Sequence, residues 1–323
     1  MKLDSTRRDT LKLMTATAGG LVLPVKSQVE IVQAVSAFSP GGMTEQFFRP
    51  LWLQAQEALG KKVVIEYKPG ATGAIALSHV AKAAPDGHTL LQFYSSMLLT
   101  PYMEATSYDL LRDFTFIIAL ADVVYGVAVA STSKYKTFED LMVAAKAQPG
   151  KLNYAVAGLG TGGHIMFEEA LHRRGVNMVS VPYKGVEYLS ALIGGHIDCA
   201  VGSTSWGPQA RSGVIKPLAY FTRERIPTYP DVPSSTDLGF DINDPYPLGI
   251  IGPKGMATAT VQKLHDALKA AIETPAMEKV MYDAATPKLY MNTADFTTWA
   301  HKAFVTKGQT MTRIGLAKRQ PRK

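Results

Sequence analysis

Residues 152–171, LNYAVAGLGTGGHIMFEEAL, constrain this chain more than any other stretch. An apolar run of β character breaks at Gly158, Gly160, Gly162 and Gly163 and reopens as a helix-forming run. A strand that feeds a helix through so short a loop packs that helix back on its sheet, so the next strand lies parallel and loops collect at the strands' carboxyl ends. Glycines let backbone N–H groups approach a ligand, and a helix N-terminus adds unpaired donors and a positive dipole end, so the loop favours an anion. Gly158, Gly160 and Gly163 also satisfy the dinucleotide fingerprint GxGxxG in its strand-then-helix setting. That fingerprint requires an acidic residue about 20 positions on, at the end of the next strand, to hold a ribose. The next strand ends Val179-Ser180-Val181-Pro182-Tyr183-Lys184-Gly185, with no Asp or Glu. An NAD-dependent oxidoreductase is therefore only the alternative reading.

The rest of the chain repeats the same alternation. Strands are predicted over 29–38, 62–67 and 89–94, separated by helices over 43–59 and 74–83. The run 115–130 is long, apolar and poor in turn residues, and reads as one strand that leaves a first sheet and enters a second. A second series follows: helix 138–148, strand 152–157, helix 164–174, strand 178–182, helix 186–193, and strands 197–201 and 215–221. Residues 227–247, rich in Pro, Asp and Ser, are irregular, and 248–252 is the return crossing. Helices over 258–272 and 276–284, a short strand over 288–291 and a last helix over 294–313 complete the chain. The expected fold is α/β and two-lobed, each lobe a mainly parallel sheet flanked by helices, joined by two crossing strands. Lobe 1 is residues 29–126 plus 249–323, and lobe 2 is 127–248. Two lobes on two crossings place a cleft between facing strand ends, an arrangement suited to hinge bending.

Composition removes several function classes. The formal charge is +7, but residues 1–28 hold +3 of it and Lys318, Arg319, Arg322 and Lys323 hold +4, so the body is neutral. A neutral body with basic ends has no electrostatic footprint for nucleic acid. The single cysteine, Cys199, excludes a disulfide framework and a thiolate metal cluster, and its apolar setting reads as a buried structural thiol. No cofactor and no metal are expected. The seven histidines are scattered, and His164 and His172 lack ligand spacing. No GxSxG elbow, P-loop or carboxylate pair for acid–base work is present, so the chain is not expected to be an enzyme. Glu168 and Glu169 read as solvated carboxylates. His164, at a helix start, is open to two roles, hydrogen bonding a ligand or capping the glycine turn. Tyr183 ends a strand beside the glycine loop and offers a ring and a hydroxyl.

At the N-terminus, Arg7 and Arg8 precede a modest apolar stretch over 13–23 and Pro24. Residues 1–28 read as a Tat-type export segment, too short and glycine-rich to span a bilayer, which places the mature body in the periplasm.

Once aligned, these segments resemble the substrate-binding receptors of tripartite tricarboxylate transporters, the Bug receptors. The likeness runs from about residue 29 to 316. Phe38-Ser39-Pro40-Gly41-Gly42-Met43-Thr44-Glu45 is similar to the family's FAPGGxxD loop. Further on come Lys68-Pro69-Gly70-Ala71-Thr72-Gly73, Ala84-Pro85-Asp86-Gly87-His88-Thr89-Leu90, Pro149-Gly150-Lys151-Leu152-Asn153-Tyr154 with the glycine loop, and Val181-Pro182-Tyr183-Lys184-Gly185. Gly194-Gly195-His196-Ile197-Asp198 and Pro230-Asp231-Val232-Pro233 complete the series in family order.

The resemblance implies a periplasmic binding fold of type II character, acting as a monomer. It closes on a small organic carboxylate and presents it to the membrane subunits of a tripartite tricarboxylate-type transporter or, alternatively, to a signalling partner. The carboxylate is then held by backbone N–H groups and ordered water rather than by arginine. The implied ligand residues are Phe38, Ser39, Gly42, Met43 and Thr44 in the first loop, Tyr94 and Ser95 at the third strand's end, and Ala157, Gly160, Thr161, Gly162 and His164 in the glycine loop. Tyr183, Gly202, Ser203 and Trp206 complete the set. Many members carry an acidic residue after the strand that contains Asp198, where this chain reads Cys199-Ala200-Val201-Gly202-Ser203-Thr204-Ser205-Trp206. Its loss argues against an ammonium ligand, which would need a counter-charge in a dry cleft. Trp206 and Tyr94 are candidates to present aromatic surface to an aromatic or larger acid.

Overall fold

The computed structural model describes residues 30–42 and 44–320, and at Thr44, Glu45 and Thr72 the backbone only. The export segment and Met43 lie outside the described residues. Local sequence places the ends of the helices. α4 (Phe138–Ala147) starts in a capping box, with Thr137 and Asp140 each bonding the other's backbone N–H. α1 (Arg49–Leu59) stops at Gly60, whose φ of 64° allows the left-handed cap. A π-helical turn, Thr44–Phe48, precedes α1, so the expected helix over 43–59 changes winding at its start.

Two mixed sheets organise the chain. The first contains β1 (Ile31–Ser36), β2 (Lys62–Tyr67), β3 (Thr89–Tyr94), β4 (Phe114–Asp122), β10 (Pro247–Pro253) and β11 (Lys288–Met291), in the order β11-β4-β10-β3-β1-β2. Strands β1 to β4 share one direction, and β10 and β11 oppose it. The second contains β5 (Tyr125–Ala130), β6 (Asn153–Val156), β7 (Val179–Pro182), β8 (Cys199–Ser203) and β9 (Ile215–Tyr220), in the order β7-β6-β8-β5-β9. Here only β5 runs against the others. In each sheet the strand that arrives from the other lobe is inserted in reverse, which is why neither sheet is purely parallel.

The run 115–130 is two strands rather than one, because Val123 and Val124 leave the ladder between β4 and β5. Side chains buried on both strands make it read as continuous, and periodicity carries no signal for the break. The two crossings are stitched together at this point. Val123 N donates to Tyr246 O at 3.0 Å, and Tyr246 N donates to Asp122 Oδ1 at 2.6 Å.

Lobe 1 is centred on Phe93, Phe116 and Phe296, whose rings meet edge to face at 5.1–5.7 Å. Phe296 comes from the last helix, α10 (Thr293–Arg313), which starts on an Asn292 cap. Lobe 2 packs Tyr188, Trp206 and Tyr220 together with Ala128, Ala155 and Ala200. Cys199 is fully buried there, and burial raises its thiol pKa, as a structural thiol requires. A third, smaller cluster joins Leu99, Tyr102 and Met103 to Ile165 and Met311. It draws on α3 (Thr100–Met103) and α10 of lobe 1 and on α5 (Gly162–Arg174) of lobe 2. The helices α3 and α7 (Gly207–Arg211) are single short turns whose sequences carry no periodic signal.

Candidate functional site

In lobe 1, β1 ends at Ser36, whose hydroxyl donates to Phe38 O at 3.3 Å and opens the loop 37–42. Gly41 and Gly42 both take positive φ, 95° and 58°, so this turn requires two successive glycines. Phe38 lies edge-on to Tyr94 with ring centroids 4.5 Å apart, and Phe48 backs Tyr94 at 5.4 Å. Ser95 follows Tyr94 at the end of β3. It is buried, and its hydroxyl has no partner among the described residues. Ser39 is exposed and Gly42 half-buried.

In lobe 2, β6 ends at Val156 and the loop 157–161 leads into α5. Thr161 Oγ1 donates to Gly158 O at 2.9 Å and closes the turn. His164 is fully buried, and its Nδ1 accepts from Gly160 N at 3.0 Å. An accepting Nδ1 places the proton on Nε2. The nearest carboxylate oxygen to Nε2, Glu168 Oε1, is 3.8 Å away, beyond hydrogen-bond reach. Glu168 is itself bonded by the Tyr154 hydroxyl, and burial lifts its carboxyl above the usual range despite that bond. Burial lowers the His164 pKa to about 4, so the ring is neutral at physiological pH.

The two lobes meet around these loops. A Cβ on Gly42 would lie 3.8 Å from Val186 Cγ1, which stands just after Tyr183, Lys184 and Gly185. Gln46 Nε2 donates to Ser205 O at 3.3 Å across the lobes, and Ser203 and Ser205 share a hydroxyl contact of 2.9 Å. Met103 closes on the glycine loop, 3.3 Å from a Cβ on Gly160. Across the lobes, Gly42 thus stands near Val186, Gln46 meets Ser205 and Met103 meets the glycine loop. Gln46 was invisible to the sequence reading, because a single glutamine in a helical run carries no signal of what it faces.

Several sequence expectations change. His164 caps the glycine turn through Nδ1, which accepts from Gly160 N–H, while its Nε2 has no hydrogen-bond partner among the described residues. The same bond removes the Gly160 N–H from the free donors of the loop. Gly162 is packed against rings: a Cβ there would lie 2.5 Å from Tyr125 and 2.6 Å from Tyr246. Trp206 is fully buried between Tyr188 and Tyr220, and its Nε1 donates to Tyr220 O–H at 3.5 Å, so its ring belongs to the lobe 2 core. Gly202 lies on the same core, with a Cβ position 2.2 Å from the Tyr188 hydroxyl oxygen. Glu169 is buried and ion-paired rather than solvated. The structure of Met43 and the side chain of Thr44 fall outside the described residues.

The cap has a measurable consequence. His164→Ala is expected to destabilise the fold by about 1–3 kcal/mol, the cost of a buried N–H left without its acceptor. A group whose folded pKa is depressed contributes stability above its unfolded value and loses it on acidification. The His164 contribution is thus full above about pH 6.5 and lost as pH falls toward 4. Urea unfolding of the two proteins should show their difference shrinking across that window.

Comparison with known proteins identifies the family and the fold. The family model "Tripartite tricarboxylate transporter family receptor" matches residues 47–316. The "UPF0065 protein in gbd 5'region" of Cupriavidus necator is 33% identical over 312 residues, covering 95% of each chain. Among solved structures, the periplasmic binding protein BugD superposes with a TM-score of 0.83 at 26% identity, covering 90% of this chain and 99% of its own. Rpa4515 of R. palustris, determined with adipate, gives a TM-score of 0.81 at 25% identity, covering 88% and 97%. Among the described residues no helix is long and apolar enough to cross a membrane. Two lobes, facing strand-end loops and a match over most of the chain lead to one conclusion: this protein belongs to the tripartite tricarboxylate transporter receptor family, whose members are solute-binding receptors and not enzymes.

Proposed function

We propose that the chain is a monomeric periplasmic receptor, exported by the Tat route, that captures a small organic carboxylate between its lobes for the membrane subunits of a tripartite tricarboxylate-type transporter. The lobes are residues 29–126 with 249–323, and residues 127–248. The observation that supports the reading is the pair of glycine-bearing loops at strand ends, 37–42 and 157–161, neither of which holds a lysine or arginine. Backbone donors and the unpartnered Ser95 hydroxyl suit a carboxylate that is desolvated without an ion pair. The adipate of Rpa4515 supports this ligand class. Phe38 and Tyr94 supply an apolar wall, which suits an acid with an aliphatic or aromatic body. Ser39, Gly42, Ala157, Thr161, Tyr183 and Ser203 complete the contact set, with Met43 and Thr44 as the remainder of the first loop.

A ligand that binds only the native state stabilises it, by about 2.7 kcal/mol at one hundred times Kd. Thermal unfolding in the presence of adipate, malate, succinate, benzoate and NADH should therefore show upward shifts with one or more acids and none with NADH. Stabilisation by NADH alone would overturn the proposal.

A further inference from the structure

The packing of α10 against α5 does not involve the cleft loops' ligand-facing side, yet it joins the two lobes. Along α5, contacts run in sequence from the crossings outward: Gly162 against Tyr125 and Tyr246 at the crossings, then Ile165 in the cluster with Met311 and Glu169 with Arg313 of lobe 1. Along α10 the matching order is Lys307 over the Tyr246 ring, then Met311, then Arg313. Seven residues from Gly162 to Glu169 rise about 10 Å, and six from Lys307 to Arg313 about 9 Å, so the helices stay in step as they leave the hinge.

The outer rung pairs one buried carboxylate with two partly exposed guanidinium groups. Glu169 is 4% exposed, and its Oε1 accepts from Arg313 Nη1 at 2.8 Å across the lobes and from Arg173 Nε at 2.7 Å within α5. Burial raises the Glu169 pKa, but the bonds from Arg313 and then Arg173 outweigh it and hold the carboxyl below its ordinary value. Its Oε2 is buried without a hydrogen-bond partner among the described residues. Without Arg313 the buried carboxylate keeps Arg173 of its own helix and loses its one recorded bond to lobe 1. The lobe 1 side of the contact is anchored in turn, because Lys318 N and Arg319 N both donate to Tyr102 O of α3. The cluster extends to the cleft, where Met103 touches the glycine loop at Gly160. Rotation about the crossings at residues 123–124 and 246 has its largest effect on the rung farthest from the hinge.

We propose that Arg313 and Glu169 form a latch that holds α5, and with it the glycine loop, against lobe 1, so that the closed arrangement of the lobes is maintained without ligand. Arg313 and Glu169 are positioning residues: they act on the ligand loop through α5. The latch gives the receptor reading above a mechanism for holding its site assembled, and rests on that reading for its purpose only.

The test measures interlobe distance in the full mature chain with no ligand. Spin labels on Glu57→Cys in α1 and Lys146→Cys in α4, both exposed, report lobe separation by double electron–electron resonance, while the buried Cys199 stays unlabelled. The unaltered pair should give a dominant short distance. Arg313→Glu should move the main population to a longer distance, lowering the closed-to-open ratio about tenfold or more, the factor that corresponds to ~1.4 kcal/mol. Arg313→Lys should restore the short distance. Should Arg313→Glu fail to fold, Arg313→Gln is the second variant, with the same direction of shift expected. A distribution unmoved by either substitution, or one already long in the unaltered chain, overturns the latch. Neither outcome depends on an acid binding, so a failed carboxylate screen would count against the receptor reading and leave this test intact.

Discussion

Replacing Gly162 by alanine is expected to destabilise the protein by about 1–3 kcal/mol, and by valine more, because added atoms in a filled core force neighbours off their positions. The backbone of Gly162 is ordinary helix, so conformation is not the obstacle. The obstacle is two rings, Tyr125 and Tyr246, 2.5–2.6 Å from the new Cβ, that pack edge to face at 5.4 Å and stand on the two chain crossings. Neither ring can withdraw without moving the hinge. Gly160→Ala meets only the Met103 side chain, at 3.3–3.5 Å, and a positive φ of 74° that costs of order 1 kcal/mol. Chemical denaturation should therefore rank Gly162→Val as the more damaging of the two at equal side-chain volume, when compared with Gly160→Val. The reverse ranking would show that the left-handed backbone at Gly160 outweighs the ring packing at Gly162.

A second large effect is expected at Lys307. Its side chain is 4% exposed, with Nζ 3.6 Å from the Tyr246 ring centroid and 4.0 Å from Asp244 Oδ2. Nζ has no hydrogen-bond partner among the described residues. Asp122, half-buried at the end of β4, interacts with this charge and accepts from Tyr246 N. Burial raises the Asp122 pKa to about 6 and lowers that of Lys307 to about 8, so at pH 7 each is charged at a cost and each offsets the other. Lys307→Ala removes one partner and is expected to cost about 3–5 kcal/mol near neutral pH.

The pH dependence follows from the sign of each shift. A carboxyl whose folded pKa is raised contributes stability below its unfolded value, and that contribution disappears as pH rises through the folded value, here from about 3.8 to about 6. Without Lys307, the Asp122 pKa rises further, so the loss in Lys307→Ala should be larger at pH 7.5 than at pH 5. The double variant Asp122→Asn with Lys307→Met keeps an acceptor for Tyr246 N and most of the packed volume. Urea unfolding should find it more stable than the sum of the single changes. Additive losses would mean that the two groups do not interact.

The outline of this molecule was readable because strand and helix periods differ and the chain alternates them. The helix over 258–272 was placed to the residue, with Val261, Leu264, Leu268 and Ile272 facing the core as their spacing required. The last helix and the strand over 89–94 were placed as closely. The loops at 38–42 and 157–161 were found because glycine is needed where φ is positive, and both bear that out. Less legible were features in which one residue type serves two ends. Two glutamates side by side look solvated, yet α5 turns Glu169 inward onto Arg313 while Glu168 meets Tyr154. A tryptophan at a strand end looks available, yet Tyr188 and Tyr220 enclose it.

Sequence by itself determined the α/β alternation, the strand-end glycine loops, the neutral body and the family, because these depend on neighbours within a few residues or on the order of short motifs. Tertiary structure alone decided which partner each group met. It brought Lys307 within electrostatic reach of Asp122, which lies 185 positions earlier, and set Arg313 beside Glu169, 144 positions earlier. It also decided what the glycines at 162 and 163 are for. Their position at a helix start advertises anion binding, while the rings of Tyr125 and Tyr246, far apart in the chain, fill the space that their missing side chains leave open. The physical reason is that burial and pairing depend on what arrives from distant segments, and local sequence holds no record of distance in space.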